Sequence, residues 1–234
     1  MTAPLIHRVT GLDMAYQDWH WPFAEQRRAE IDAHFARRQR VTPQIWNGRV
    51  LLGRNPEFRA GRFSAQYFET DFASLLAWID WGFPDTTVFN GFGMGALRSV
   101  DGAFVLGEMS VETANAGRIY FPSGTPDRND VRGAVVDIAG SVLREVEEET
   151  GLTGADYRAA GHWDCVVSGS AIAVIQILHS DLTGAGLRAR IEANLAAQTS
   201  PELSAIHLVR GIGDVTSAMP AYVKAFLAAQ LASD

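Results

Sequence analysis

Residues 143–152, LREVEEETGL, constrain this chain more than any other stretch. Four of the ten are glutamates, and residues 138–150 read as a helix. On a helix Glu145, Glu148 and Glu149 stand at i, i+3 and i+4, so their carboxylates share one face. Glu147 points elsewhere, toward solvent. Gly151 sits where a helix C-cap glycine belongs. The charges therefore crowd the last two turns, where the helix dipole is already negative. Like charges at these spacings cost roughly 0.2–0.5 kcal/mol per pair, and with the dipole the total is about 1–2 kcal/mol. Arg144 can pair with Glu148 at i+4, in the less favourable orientation. A helix can carry that strain, so a solvated acidic face is one reading of the segment.

The rest of the composition fits a globular protein. The chain has 234 residues, 47% hydrophobic and 20% charged, enough for a sizeable core. A net charge of −7 argues against general nucleic-acid binding. The single cysteine, Cys165, excludes an internal disulfide and fits a reducing compartment. The N-terminal MTAPLIHRVTG has no basic region followed by an apolar stretch, and the strongest apolar run, AIAVIQIL (171–178), is too short to span a bilayer. The expectation is a soluble, cytoplasmic protein.

Two parts are expected. Residues 1–86 read as an extension: a helix over 22–40, strands over 49–53 and 58–70, and a helix over 71–81, with Gly82 and Pro84 marking a break. Residues 87–234 read as the main domain. Strands over 87–99 and 102–111 flank a turn at Val100-Asp101-Gly102, followed by a short RIYF piece (118–121) and a turn-rich PSGTPDRND (122–130). After the acidic helix come strands near 157–167 and 171–179, a helix near 186–198, a strand near 203–209 and a helix near 219–231. Irregular interleaving of this kind predicts an α+β or α/β sandwich and not a doubly wound sheet.

Arg144-Glu145-Val146-x-Glu148-Glu149-x-Gly151-Leu152 reproduces R-E-U-x-E-E-x-G-U, with U aliphatic. Chance would place such a match in a chain of this length with odds of roughly 10⁻⁵ to 10⁻⁴. This is the second half of the Nudix box, and the chain resembles a Nudix hydrolase over residues 87–234. The resemblance implies an α/β/α sandwich with a mixed sheet, carrying the N-terminal α+β extension. It also implies a helix that holds divalent metal over a diphosphate. Magnesium, with manganese as the alternative, suits hard carboxylate oxygens and would offset the crowded charge. By the same resemblance Glu145 and Glu149 are metal ligands, and Glu148 is either a ligand or the base that activates water. Arg144 orients the glutamates, and the backbone carbonyl of Ser123 is a further ligand. Glu202, just before the strand LSAIHLV, stands where many relatives place a late carboxylate used as base or extra ligand.

The first half of the box departs from the family's G-x5-E-x7-R-E. FPSGTPD (121–127) is similar to the family's turn, with Gly124 as its glycine, but Gly124 and Arg144 are six residues further apart than the pattern allows. Counting back puts Val136 at the family's glutamate; counting forward puts Asp130 there. Asp137 is one residue off and makes a good N-cap. The first glutamate is thus either replaced by an aspartate on a longer loop or missing. The loop 125–137 is expected to contact the substrate, with Asp130 or Asp137 steadying the metal-binding helix. The long loop and the extension are together similar to a smaller branch that splits UDP-sugars.

Other features are read as structural. Gly91-x-Gly93-x-x-Ala96 mimics a dinucleotide fingerprint but lacks the following helix, so no organic cofactor is expected. Arg27, Arg28, Arg37, Arg38 and Arg40 read as a solvated helix face. His162, His179 and His207 lack metal-ligand spacing. Cys165 is expected to be buried, and Trp19, Trp21, Trp78 and Trp81 to lie in a core or an interface. The expected activity is metal-dependent hydrolysis of a nucleoside diphosphate linked to another moiety, with nucleotide sugars such as UDP-sugars among the candidates. Two alternatives stay open: a Nudix-fold nucleotide-binding or regulatory module whose catalysis has decayed, and an unrelated fold with a solvated acidic helix. The partner expected is a small-molecule nucleotide, not a nucleic acid or a membrane. The extension should shape either the substrate pocket or a homodimer interface.

Overall fold

Short strand-forming runs punctuated by turn residues dominate the chain, and they join into one connected mixed sheet. The computed structural model describes residues 3–232. In chain order its elements are β1 (Leu5–Val9), β2 (Gly11–Tyr16), α1 (Pro22–Gln26), α2 (Arg28–Val41), β3 (Arg49–Arg59), β4 (Arg62–Asp71), α3 (Phe72–Asp80), β5 (Val88–Arg98), β6 (Phe104–Met109), β7 (Ile119–Tyr120) and β8 (Ser123–Gly124). They continue as β9 (Val131–Arg132), β10 (Val135–Val136), α4 (Ile138–Thr150), β11 (Arg158–Ala159), β12 (Trp163–Ser168), β13 (Ala171–His179), α5 (Gly184–Ala197), β14 (Leu203–Val209) and α6 (Ala221–Leu231). The main path of the sheet runs β1-β12-β13-β5-β3-β4-β2-β10-β9, with β6, β7, β8, β11 and β14 branching from it. No helix among the described residues is long and apolar enough to cross a membrane.

Strand β5 sits at the centre and runs parallel to β13, with Gly93 opposite Val174 and Gly95 opposite Gln176. Its alternation assigns the two faces. Gly93 and Gly95 lie under α4: a Cβ at either would come within 2.5 Å of Val142 or 2.4 Å of Val146. Phe92, pointing the other way, meets Tyr222 of α6 with ring centroids 5.4 Å apart. Helices thus cover both faces of the sheet, and the architecture is an α/β/α sandwich. The glycine run is packing chemistry, and bare Cα atoms let α4 sit close.

The extension shares its core with the main domain. Leu51 and Phe63 pack in the same buried cluster as Phe89, Val105 and Val142. Leu52 and Phe68, on the opposite face of the same strands, pack with Trp21, Ile31, Leu75 and Trp78 in a second cluster. Trp19 and Trp81 lie partly buried against that second cluster. Cys165 is fully buried, and burial pushes its thiol up to about 12.

Several boundaries differ from the sequence expectation. The helix expected over 22–40 breaks at Arg27, whose guanidinium lies 4.3 Å from the centre of the Trp81 ring. The strand expected over 58–70 is two strands. Ala60 and Gly61 both have positive φ, 50° and 72°, the geometry of a tight hairpin turn, and Arg59 pairs with Arg62 across it. The stretch expected as one strand near 157–167 divides into β11 and β12. Residues 5–16 form β1 and β2, which carried no recognisable alternation. Only Val9 is buried in β1 and only Met14 in β2.

Candidate active site

Helix α4 is fixed at both ends by the residues around it. The Asp137 carboxylate accepts from the Gly140 N–H at 2.8 Å and caps the N-terminus. Gly151 takes φ 72°, which only glycine adopts freely, and closes the C-terminus with its N–H on the Glu147 carbonyl at 2.8 Å. With Ile138, Val142 and Val146 turned into the core, Glu145 and Glu149 are carried toward β8.

The two carboxylates are withdrawn from solvent. Glu149 is 5% exposed, and its Oε1 accepts from the Ser123 N–H at 3.0 Å. Glu145 lies against Gly124, where a Cβ would come 2.4 Å from its carboxylate carbon. The glycine of the FPSGTPD turn is therefore required by the position of Glu145. Arg144 Nη1 donates to Glu145 Oε1 at 2.7 Å, its Nη2 donates to Asp130 Oδ1 at 3.0 Å, and Glu148 Oε2 is 3.6 Å away. Glu147 and Glu148 are exposed. Burial pushes the Glu145 carboxyl up to about 7; Arg144 opposes this, while Glu148, Glu202 and Asp130 add to it. Burial raises Glu149 well above the ordinary value, against the Ser123 N–H and with help from Glu145, Glu202 and Glu148. Glu202 stands exposed just before β14, close enough for its charge to act on both.

Asp130 and Asp137 take tasks inside the fold. Asp130 is 4% exposed. Its Oδ2 accepts from the Asp127 N–H at 2.9 Å, and its carboxylate faces Arg144. Asp137 is committed to the helix cap. The remainder of the long loop pairs into the sheet. Strands β9 and β10 form a hairpin, and β10 pairs with β2 through Val135 and Ala15. Only the start of the loop, Thr125 and Asp127, lines the cleft described below.

Among the described residues, no group of three or more His, Cys, Asp or Glu side chains converges as a preformed metal site. The donor chemistry nevertheless suits a hard divalent cation. The available ligands are carboxylate oxygens, that of Glu149 buried and that of Glu145 half-buried, with a single guanidinium among Glu145, Glu148 and Asp130. Arg144 has Asp130 as a second carboxylate partner, so it keeps one when Glu145 turns to a cation.

Two cavities, of about 410 and 450 Å³, open beside the cluster and share Phe72, Asn115, Tyr120, Ser123 and Thr125. Residues of the extension wall both. Leu75, Leu76 and Ile79 of α3 line the first, and Trp46 and Arg49 line the second, which also contains Glu202. Trp46 is 76% exposed, and every other Trp, Phe and Tyr among the described residues is at least partly buried. Tyr120 is 7% exposed; burial first, then the charge of Glu149, raises its phenol. Asn115 Nδ2 donates to that phenol at 3.3 Å. Sequence reasoning missed Trp46, Asn115 and Tyr120, because nothing in their local pattern separates a cleft wall from an ordinary strand or loop.

No protein-family model matches the chain, and no curated relative does. Solved structures with a similar chain path include a MutT protein from Methanosarcina mazei Go1, at 19% identity and TM-score 0.38, covering 61% of this chain and 92% of that one. RenU, a Nudix hydrolase from M. smegmatis, is similar at 14% identity and TM-score 0.40, covering 62% and 88%. An Ap4A hydrolase from C. elegans is similar at 14% identity and TM-score 0.39, covering 61% and 93%. Identities and TM-scores this low carry no assignment of family, substrate or residue role.

Proposed function

We propose that this protein hydrolyses the diphosphate bond of a nucleoside diphosphate linked to another group, with magnesium or manganese bound, and that nucleotide sugars such as UDP-sugars are among its substrates. One observation carries the reading. Glu145 and Glu149 are withdrawn from water on one helix face beside Glu148 and Glu202, an arrangement that is unfavourable without a cation and suited to one with it.

In this reading Glu145, Glu149 and the Ser123 carbonyl bind the metal, with Glu148 as ligand or base. A bound divalent cation supplies neutralisation of phosphoryl charge and acidifies a water. The chain's own residues do the rest. Gly124 leaves room for the Glu145 carboxylate, and the Ser123 N–H holds Glu149 in one rotamer. Arg144 is tied to Asp130 and fixes the direction of Glu145 and Glu148. Glu148, the most exposed of the three shared-face glutamates, can accept a proton from water. Glu202, just before β14, is the second candidate base. Walls from the extension enclose the group attached to the diphosphate.

The test is a panel of dinucleotides, nucleotide sugars and nucleoside triphosphates, incubated with the protein and magnesium, with products separated by chromatography. Release of a nucleoside monophosphate that stops on chelation supports the proposal. Nucleotide binding without turnover identifies a decayed binding module instead. Neither binding nor turnover returns the acidic helix to a solvated face.

A further inference from the structure

The far end of the central strands carries a third cavity, and its charge is opposite to that of the carboxylate cluster. β5 and β13 run parallel and end together, with Arg98 beside His179. Gly93, which pairs with Gly124 of the turn, lies five residues earlier on β5, so the two places are about 17 Å apart along the strand. The cavity measures about 440 Å³, and its lining includes Arg98, Val100, Arg158, Ala159, His179 and Asp181. It shares no lining residue with the two cavities beside the carboxylates. Nearby acids are engaged by other cations: Asp101 by Arg210 at 2.9 Å, Asp156 by Arg190 at 2.6 Å and Asp181 by Arg158 at 2.8 Å. The serine hydroxyls of the lining are engaged too, Ser99 with Asp101 at 2.6 Å and Ser180 with the Asp156 carbonyl at 2.9 Å. His179 is exposed, and its ring makes no hydrogen bond or ion pair among the described residues. Partial burial, then the charges of Arg98, Arg158 and His162, lower its pKa. The imidazole therefore stands in a positive field even with Asp181 in the same lining.

We propose that this cavity binds a small dianionic oxyanion, a phosphate group free or on a small ester, between Arg98, Arg158 and His179. The inference stands apart from the diphosphate reading and needs no metal. The chemistry of the wall selects the ligand. Guanidinium groups present forked donors that match tetrahedral oxyanions, and a dianion gains from each cation it meets. The Arg98 guanidinium is seated 5.2 Å from the centre of the Phe104 ring, which fixes one side of the site. Arg158 and Asp181 are both exposed, at 73% and 77%, and pairs of that kind are held weakly, so Arg158 can turn to an incoming anion. Protonated His179 supplies the third cation, and anion binding draws its proton on. A metal cation would be repelled by this wall, and an apolar ligand would strip water from the charges without return. The volume exceeds that of a bare ion, and Val100 and Ala159 offer the remainder of an ester an apolar side.

The test uses the full chain without metal. Sulfate is the first probe, because it stays a dianion from pH 5.5 to 8, with sodium chloride holding the ionic strength constant. The ring-proton resonance of His179, identified by its loss in His179→Gln, is followed by NMR, and affinity is read by calorimetry. The resonance should shift saturably, and binding should be at least threefold tighter at pH 5.5 than at pH 8, where the imidazole has lost its proton. His179→Gln should remove that pH dependence. Arg158→Gln leaves Asp181 without its cation and should weaken sulfate at least tenfold, whereas Asp181→Asn frees Arg158 and should tighten it at least twofold. All three side chains are exposed, so the variants should keep the parent Tm. Glycerol 3-phosphate distinguishes the two sources of the group: tighter binding than sulfate points to an ester, equal binding to the free ion. The proposal is overturned if the His179 resonance does not saturate, or if sulfate affinity is the same in His179→Gln and Arg158→Gln as in the parent.

Discussion

Glu149 is the most buried of the glutamates at the site, and its neighbours decide what it can do. In a protein without metal, its charge meets Glu145 and Glu202 with only a backbone N–H as direct partner. Glu149→Gln keeps an oxygen for Ser123 and removes the repulsion. Turnover should fall at least a hundredfold, while Tm without metal at pH 8 stays equal or rises, as calorimetry would show. Glu145→Gln should behave alike, and full activity in either variant would remove the metal assignment. The same charges set a pH dependence. Glu145 is raised from 4.5 to about 7, so the folded state holds its proton more tightly than the unfolded chain. Folding then takes up protons between about pH 4.5 and 7, and stability falls as pH rises through that window. Adding magnesium at pH 8 should restore the lost Tm, and a metal-free Tm flat from pH 5 to 8 would contradict this. Gly124→Ala separates function from stability. The atoms nearest the new Cβ are the flexible end of Glu145, so the fold should lose less than about 1 kcal/mol while kcat drops tenfold or more.

At the scale of elements, α4 depends on what it rests upon. Gly93→Val would drive a side chain into Val142 and Ile138, an overpacking that costs about 1–3 kcal/mol, measurable by urea unfolding. Activity should fall with it, because the helix that carries the carboxylates is displaced. Asp130→Asn tests the loop in the same assay. Arg144 keeps Glu145 but loses its buried partner, so kcat should drop about tenfold with Tm only slightly lower; unchanged kcat would make the loop a connector. The sequence announced α4 fully. Its charge spacing, the Asp137 cap and Gly151 are local signals, and local geometry is what a linear pattern records. The glutamates of the site were legible for the same reason, and so was the glycine of the turn. The edge strands β1 and β2 were not, because strands with one buried residue show no alternation. Nor was the fate of the insertion. The partner of β10 is Ala15, far away in sequence, and pairing at that range leaves no trace in a local pattern.

At the scale of the molecule, the sequence expectation is an extension over residues 1–86 packed on the core, and the packing predicts that residues 87–234 depend on it. β1 lies along β12 over five residue pairs, Leu5 opposite Val167 to Val9 opposite Trp163. β3 reaches β5 through Gly53 and Phe89. Leu51, Phe63 and Tyr67 are fully buried in the cluster that contains Phe89 and Val105. Removing residues 1–86 would bare the pairing edge of β12, expose the face that Phe63 covers, and open both cavities on the side now closed by Phe72 and Trp46. Exposed strand edges invite pairing with other chains, and each large side chain taken from a core leaves several kcal/mol unreplaced, on the order of 3–5 for a phenylalanine. The fragment 87–234 should therefore aggregate or lack a cooperative thermal transition, and limited proteolysis of the intact chain should yield no stable product starting near residue 87. A soluble fragment that melts cooperatively and keeps full turnover would show that the extension is an accessory. A fragment that folds but loses turnover would assign it to the cleft wall alone.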